Sequence, residues 1–181
     1  VPGGQRGGEF VAVGYSDEVP GGFAEYMVLS QSLLLPVPAG TPEIHAAMTE
    51  PMAVGLHAVN KARLEDGDAV LVLGCGPVGL AIITALRQRG VGPIHAADFS
   101  PRRRELALRQ GAHVVVDPAI ESPWQAKALQ QPDHVVVFEC VGVPGMIDRV
   151  FLAAPRNARI VVVGVCLEVD HARPLIAINK E

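Results

Sequence analysis

The rhythm of apolar and polar positions changes near residue 69. Before it, Glu9–Tyr15 and Phe23–Leu29 alternate polar and apolar residues around Pro20-Gly21-Gly22, a pattern that predicts an antiparallel β pair. The glycine-rich residues 1–8 predict loop, and Ser32–Pro38, broken by Pro36 and Pro38, predicts a short extended piece. At Thr41 and Pro42, an N-cap and a first-turn proline, the pattern turns helical. A second helix is predicted from Pro51, with Val54, Leu56, Ala58 and Val59 as its apolar body and an end near Lys61–Arg63; Glu65-Asp66-Gly67-Asp68 follows as a turn.

From Ala69 onward, unbroken apolar runs alternate with helical segments. Strands are predicted at Ala69–Leu73, Pro93–Ala97, His113–Val116, His134–Glu139 and Arg159–Gly164. Helices are predicted at Pro77–Arg89, Pro101–Arg109, about Trp124–Leu129 and about Pro144–Ala153, with Ser100-Pro101 as the N-cap and first turn of the second. Continuous β-branched runs bounded by helices mean strands covered on both faces, hence an α/β fold with a doubly wound parallel sheet.

The first of these strands runs into Gly74-Cys75-Gly76-Pro77-Val78-Gly79, and Asp98 ends the next strand, nineteen residues beyond Gly79. Each position has a physical task in binding a dinucleotide. Gly74 makes the tight turn, Gly76 lets bare backbone approach a pyrophosphate, and Gly79 lets the helix pack closely on the strand. Pro77 and Val78 fill the space beneath the pyrophosphate. A carboxylate at Asp98 accepts hydrogen bonds from the adenosine ribose hydroxyls and repels a 2′-phosphate, which favours NAD and leaves NADP open. Arg102, Arg103 and Arg104 just beyond it read either as a phosphate clamp or as a solvated helix face holding at least two of them, with one at most stacked on adenine; Arg103 is the one expected at the cofactor. The expected architecture is therefore a Rossmann-type sheet with five of its usual six strands, the first strand lying beside the fourth.

Composition narrows the picture further. A net charge of −4 without a basic, aromatic-laced stripe argues against a nucleic-acid partner. No apolar run reaches the roughly eighteen residues a bilayer span needs. The three cysteines, Cys75, Cys140 and Cys166, match neither a disulfide framework nor a metal spacing and read as small buried hydrophobes. A soluble cytoplasmic protein is the expectation. The start at Val1 in a glycine-rich stretch and the stop just after Pro174-Leu175-Ile176-Ala177-Ile178 further predict a piece of a longer chain.

Three ordered segments carry a resemblance. Gly21-Gly22-Phe23-Ala24-Glu25-Tyr26, then Glu50-Pro51-Met52-Ala53-Val54-Gly55-Leu56-His57-Ala58, then Val70–Gly79 resemble the medium-chain, zinc-type alcohol dehydrogenase family, nearest its polyol and threonine dehydrogenase branch. The resemblance runs from about Gly21 to Val165 and implies a parent of two domains, a GroES-like catalytic domain holding zinc and a Rossmann domain holding NAD(P). On it, residues 1–50 are the C-terminal part of the GroES-like domain, 51–173 the NAD(P)-binding domain, and 174–181 the start of a truncated following element.

The resemblance also implies roles. The glutamate of the Glu-Pro motif, Glu50, lies at the catalytic zinc as an occasional ligand or bonded to its water; the reading from position alone is an acid at a helix N-terminus. Val141, Gly142, Gly164 and Val165, where strands 4 and 5 close, supply backbone contacts to the nicotinamide ribose and carboxamide, or merely end strands. The family's Cys and Gly-His-Glu zinc ligands would lie upstream of this chain, and its subunit-interface elements downstream. The expectation is thus a fragment that binds cofactor, holds no zinc and is inactive alone, cut from a homo-oligomeric enzyme that passes hydride between an alcohol or carbonyl substrate and NAD(P). A zinc-free enone or quinone reductase of the same superfamily, and a non-catalytic NAD-binding module, are the alternatives the sequence leaves open.

Overall fold

The computed structural model describes residues 4–6, 9–11, 13, 14, 17, 19–131 and 133–181. They fall into two compact units, Val1–Ala46 and Ala47–Glu181.

In the first unit, β1 (Gly4–Arg6) and β2 (Glu9–Val11) pair antiparallel, Arg6 opposite Glu9. At residues 4–6 this corrects the loop expected over residues 1–8; residues 1–3, 7 and 8 lie outside the described residues. Of the rest of the expected strand, Val13 and Gly14 form a turn, closed by the Gly14 N–H on the Val19 carbonyl at 2.9 Å, and residues 12 and 15 lie outside the described residues. Phe23–Leu29 is not a strand. Residues 22–25 bend and 26–30 are irregular, with Phe23, Tyr26 and Val28 exposed. Alternation supplies a face but no partner, and among the described residues no strand pairs with this segment. A single 3₁₀ turn, Gln31–Leu33, follows, and α1 (Glu43–Ala46) begins just after Thr41-Pro42.

The second unit carries α2 (Thr49–Lys61), β3 (Ala69–Leu73), α3 (Pro77–Gln88), β4 (Ile94–Ala97), α4 (Pro101–Gln110), β5 (Val114–Val116), β6 (Val135–Glu139), α5 (Met146–Ala153), β7 (Arg159–Val162) and α6 (Pro174–Ile178). Its five strands form one parallel sheet in the order β5-β4-β3-β6-β7, the Rossmann arrangement with the first strand beside the fourth. All residues of β3 and β6 are buried, as strands covered on both faces must be. One core, built on Val70, Val72, Ile82, Leu86 and Phe138, lies on the face of α2, α3 and α4; the other, built on Leu71, Leu73, Leu129, Val137 and Val150, lies on the face of α5.

Between β5 and β6 the expected helix at Trp124–Leu129 does not form. The crossover holds only a 3₁₀ turn, Lys127–Gln130. Ala126 is extended at ψ 127, and Gln131, which precedes Pro132 in the sequence, is extended at ψ 124, so the helical stretch is held to one turn. At the other end of the chain, α6 is tied to α5: the Arg173 guanidinium grips Asp148 at 2.6 Å, and the Lys180 ammonium donates to the Leu152 and Ala154 carbonyls at 2.8 and 2.6 Å. At the amino edge of the sheet, buried Asp68 accepts from the Glu65 N–H at 2.7 Å and pairs with Arg159. Among the described residues no helix is long and apolar enough to cross a membrane.

Two side positions make the packing testable. α2 crosses α3 at Gly55, where a Cβ would stand 2.7 Å from the Ala81 Cβ and 2.9 Å from backbone atoms of Ala81 and Ile82. Backbone cannot rotate aside, so Gly55→Val is expected to lower stability by about 1–3 kcal/mol, read from the urea midpoint. His95, buried between Leu71 and Val114 on the sheet, has its Nε2 without a protein partner. Burial, with His113 nearby, holds its pKa below the ordinary histidine value. The unfolded chain then takes up a proton that the folded one refuses, so stability present above the ordinary histidine pKa is lost as pH falls through it toward the folded value. Urea midpoints at pH 7.5 and 5.5 are expected to fall more for the wild type than for His95→Leu; equal losses would contradict the assignment.

Candidate functional site

The carboxyl edge of the sheet collects the residues that matter. β3 ends at Leu73, and Gly74 turns the chain with φ +91, its N–H donating to the Ala97 carbonyl at 2.8 Å. A Cβ on Gly79 would lie 2.0 Å from the Gly74 carbonyl oxygen, so α3 rests directly on the turn from which it springs. Gly76 is the N-cap of α3, and a Cβ there would meet nothing within 4 Å. Pro77 opens the helix, Val78 leans on the first core, and no side chain caps the helix end. The positive end of a twelve-residue helix is therefore left without a side-chain cap, as an anionic ligand requires.

Asp98 follows β4 and is 8% exposed. Its Oδ2 accepts the Cys75 N–H and its Oδ1 the Ser100 N–H, each at 2.8 Å. One carboxylate thus ties the glycine turn to the start of α4, where Ser100 Oγ also caps Arg103 N–H at 3.5 Å. The three neighbouring arginines separate by role. Arg104 is held by the Asp98 and Phe99 carbonyls at 2.8 Å and by Asp117 at 2.9 Å. Arg102 is exposed, while Arg103 lines the cleft with its guanidinium 3.8 Å from Asp98.

Across the cleft, β6 ends in Glu139, a buried acid that sequence reasoning missed. Its Oε1 accepts the Val141 and Gly142 N–H groups at 2.7 and 2.9 Å. Gly142, at φ +67, would place a Cβ 2.6 Å from Val165 N, and a Cβ on Gly164 would lie 2.3 Å from Gly142 N and 2.7 Å from Glu139 Oε2. Val141, Gly142, Gly164 and Val165 are thereby brought to one place. The available signal was an acid closing the otherwise apolar run Val135–Phe138 just before a glycine.

Between these walls lies a cleft of about 500 Å³, lined by Gly74, Gly76, Asp98, Arg103, Val141 and, unforeseen from the sequence, Trp124 and Arg149. Cys75 and Cys140 flank it as inert thiols. Burial first, then the neighbouring carboxylates, pushes each pKa up to about 12. Glu50 is not part of this cleft; it stands exposed in the first turn of α2. Among the described residues no group of three or more His, Cys, Asp or Glu converges, so these residues do not by themselves fit a zinc ion, which takes at least three protein ligands.

Comparison with known proteins agrees with this geometry. The family described as zinc-binding dehydrogenase matches residues 77–180. (R,R)-butanediol dehydrogenase of Bacillus subtilis strain 168 is 34% identical over 163 residues, 89% of this chain and 47% of that protein. The solved L-idonate 5-dehydrogenase of Escherichia coli superposes with a TM-score of 0.79 at 30% identity, over 94% of this chain and 49% of the other. A Sinorhizobium meliloti structure titled as a zinc-binding dehydrogenase, solved bound to NADP, gives 0.77 at 27%, over 90% and 49%. The chain spans about half the length of the curated relatives it matches. Sequence, sheet order and the glycine cradle converge, and the chain belongs to the zinc-type medium-chain alcohol and polyol dehydrogenase family.

Proposed function

We propose that this chain is the cofactor-holding part of an NAD(P)-dependent dehydrogenase that interconverts a small alcohol or polyol and its carbonyl. The observation that carries the reading is the joint presence, around one cleft, of an uncapped helix end behind Gly76 and the ribose-reading position Asp98. When bound, NAD(P) would supply the hydride acceptor for the oxidation, or the hydride donor for the reverse reaction. The chain's own part is to bind and orient. First-turn N–H groups of α3 hold the diphosphate, Asp98 accepts from the ribose, and the Val141-Gly142 and Gly164-Val165 backbones, fixed on Glu139, shape the nicotinamide end.

In this reading Asp98 favours NAD, since a carboxylate repels a 2′-phosphate, and Arg103 tempers the preference. Glu50 acts at a zinc held by other residues, as an occasional ligand or bonded to the metal's water. Val1–Ala46 is the tail of a GroES-like domain, and the whole enzyme is a cytoplasmic homo-oligomer.

Two experiments test this. Gly76→Ala adds a methyl where the fold has room, so stability is expected to change by no more than about 1 kcal/mol. NADH binding by titration calorimetry is expected to weaken about ten-fold or more, the worth of a charge-assisted hydrogen bond. Wild-type chain that takes up neither NADH nor NADPH would end the reading. Asp98→Asn removes the charge and keeps only one of the two backbone bonds, to Cys75 or to Ser100; in variant protein that still folds by its melting temperature, the ratio of NADPH to NADH dissociation constants is expected to fall about ten-fold toward NADPH, in line with a unit charge a few ångströms away. An unchanged ratio would contradict the ribose assignment.

A further inference from the structure

Residues 165–172, between β7 and α6, form neither helix nor strand. Among the described residues, none of their backbone groups bonds to another backbone group. Their larger apolar side chains give no anchor either, since Val165, Leu167 and Val169 are 76, 94 and 77% exposed. Two carboxylates hold the segment instead, both at the head of α5. Asp170, partly buried, accepts on Oδ1 the N–H of Gly145, the N-cap residue of α5, at 2.7 Å. Arg173 meets Asp148 in the first turn of the same helix. Its backbone N–H and Nε donate to Oδ1 at 3.1 and 2.9 Å, and a terminal guanidinium nitrogen donates to Oδ2 at 2.6 Å.

We propose that Asp170 is a positioning residue for the nicotinamide end of the cofactor, with Arg173 as its second support. This deepens the cofactor reading above and rests on it, in particular on the nicotinamide end lying at Gly142 and Val165. The two loops run together through three contacts. A Cβ on Gly142 would stand 2.6 Å from Val165 N, Gly145 bonds Asp170, and Asp148 bonds Arg173. Gly145 has no side chain with which to cap its own helix, so Asp170 brings the acceptor from 25 residues along the chain. The bond thus satisfies a helix end and fixes a segment that neither ladder nor core restrains. Ordering such a segment costs conformational entropy at every residue. Held in advance, it spares the ligand that cost; released, it leaves only a fraction of molecules competent, and affinity falls by that fraction.

The test separates positioning from folding by using two ligands on one site. The chain is titrated calorimetrically with NADH and with ADP-ribose, which lacks the nicotinamide. Asp170→Ala is expected to weaken NADH about ten-fold, the worth of a charge-assisted hydrogen bond. ADP-ribose is expected to bind the variant as it binds the wild type. Asp170→Asn keeps an acceptor for Gly145, and its amide displaces no protein bond because Oδ2 has no protein partner; it is expected to recover most of the loss. Arg173→Gln, at an exposed ion pair, is expected to weaken NADH alone, by about two-fold. Gly55→Val, which disturbs packing on the other face of the sheet, is the control and is expected to shift both ligands alike.

Hydrogen exchange read by mass spectrometry over residues 164–173 gives an independent measure. NADH is expected to slow exchange there in the wild type and ADP-ribose to leave it unchanged, while Asp170→Ala speeds it without ligand. If Asp170→Ala weakens both ligands equally, or neither, or leaves exchange over 164–173 unchanged, the positioning proposal is overturned while the cofactor reading stands. The same follows if wild-type chain binds ADP-ribose as tightly as NADH. Should Asp170→Ala fail to fold, Arg173→Gln decides by the same comparison of ligands. If wild-type chain binds none of NADH, NADPH and ADP-ribose, the cofactor reading itself falls.

Discussion

The architecture of the second unit depends on one contact, the seat of α3 on the turn after β3. The Gly74 carbonyl oxygen stands 2.0 Å from where a Cβ of residue 79 would be. Only glycine at 79 permits that approach, and only the left-handed φ of +91 at Gly74 delivers the chain to it. The consequence propagates outward. With α3 held this close, Ala81 and Ile82 present backbone to α2 at a distance that Gly55 alone can meet. The same seat leaves the helix end with no side-chain cap, so a requirement of packing becomes a property of binding.

Two buried acids then shape the loops at that edge by the same device. Asp98 ends the β4 run and accepts two backbone N–H groups, one from the glycine turn and one from the start of α4. Glu139 ends β6 and accepts two from the loop that follows. Backbone donors in a strand-to-loop transition have lost their ladder partners and need acceptors where water is scarce. A carboxylate satisfies two at once and costs less to bury when it does so. The loops that would touch a dinucleotide are therefore fixed in advance by charges the sheet itself carries to its edge.

Much of this was legible along the chain. β3 and β6 announced themselves as apolar runs of parallel-sheet type, α3 by Pro77 and the glycines, α4 by Ser100-Pro101. The failures share a cause. Phe23–Leu29 has strand alternation but, among the described residues, no partner strand, and pairing is a property of two segments, not one. Trp124–Leu129 has helical residues, but Ala126 and Gln131 are extended, Gln131 just ahead of Pro132 in the sequence, and they leave room for one turn. In the site, the three arginines look alike in sequence, yet only the fold shows Arg104 locked on Asp117 and Arg103 turned to the cleft. Trp124 and Arg149 come from crossovers far from the glycine motif, and only the sheet order carries them to it.

On the proposed reading Asp98 has a double duty, in which stability and recognition meet at one residue. An ionised carboxylate offers about four lone-pair positions. Cys75 and Ser100 each take one, on different oxygens, and the Arg103 guanidinium at 3.8 Å lies beyond a direct hydrogen bond. Each oxygen keeps a free position, which is the pair of acceptors that two vicinal hydroxyls of a ribose require. The backbone bonds hold the carboxylate in one orientation, so those free positions are aimed before any ligand arrives and little freedom is lost on binding. On the proposed reading, a charge buried to stabilise a turn also reads a sugar, since the same residue lines the cleft that the turn borders.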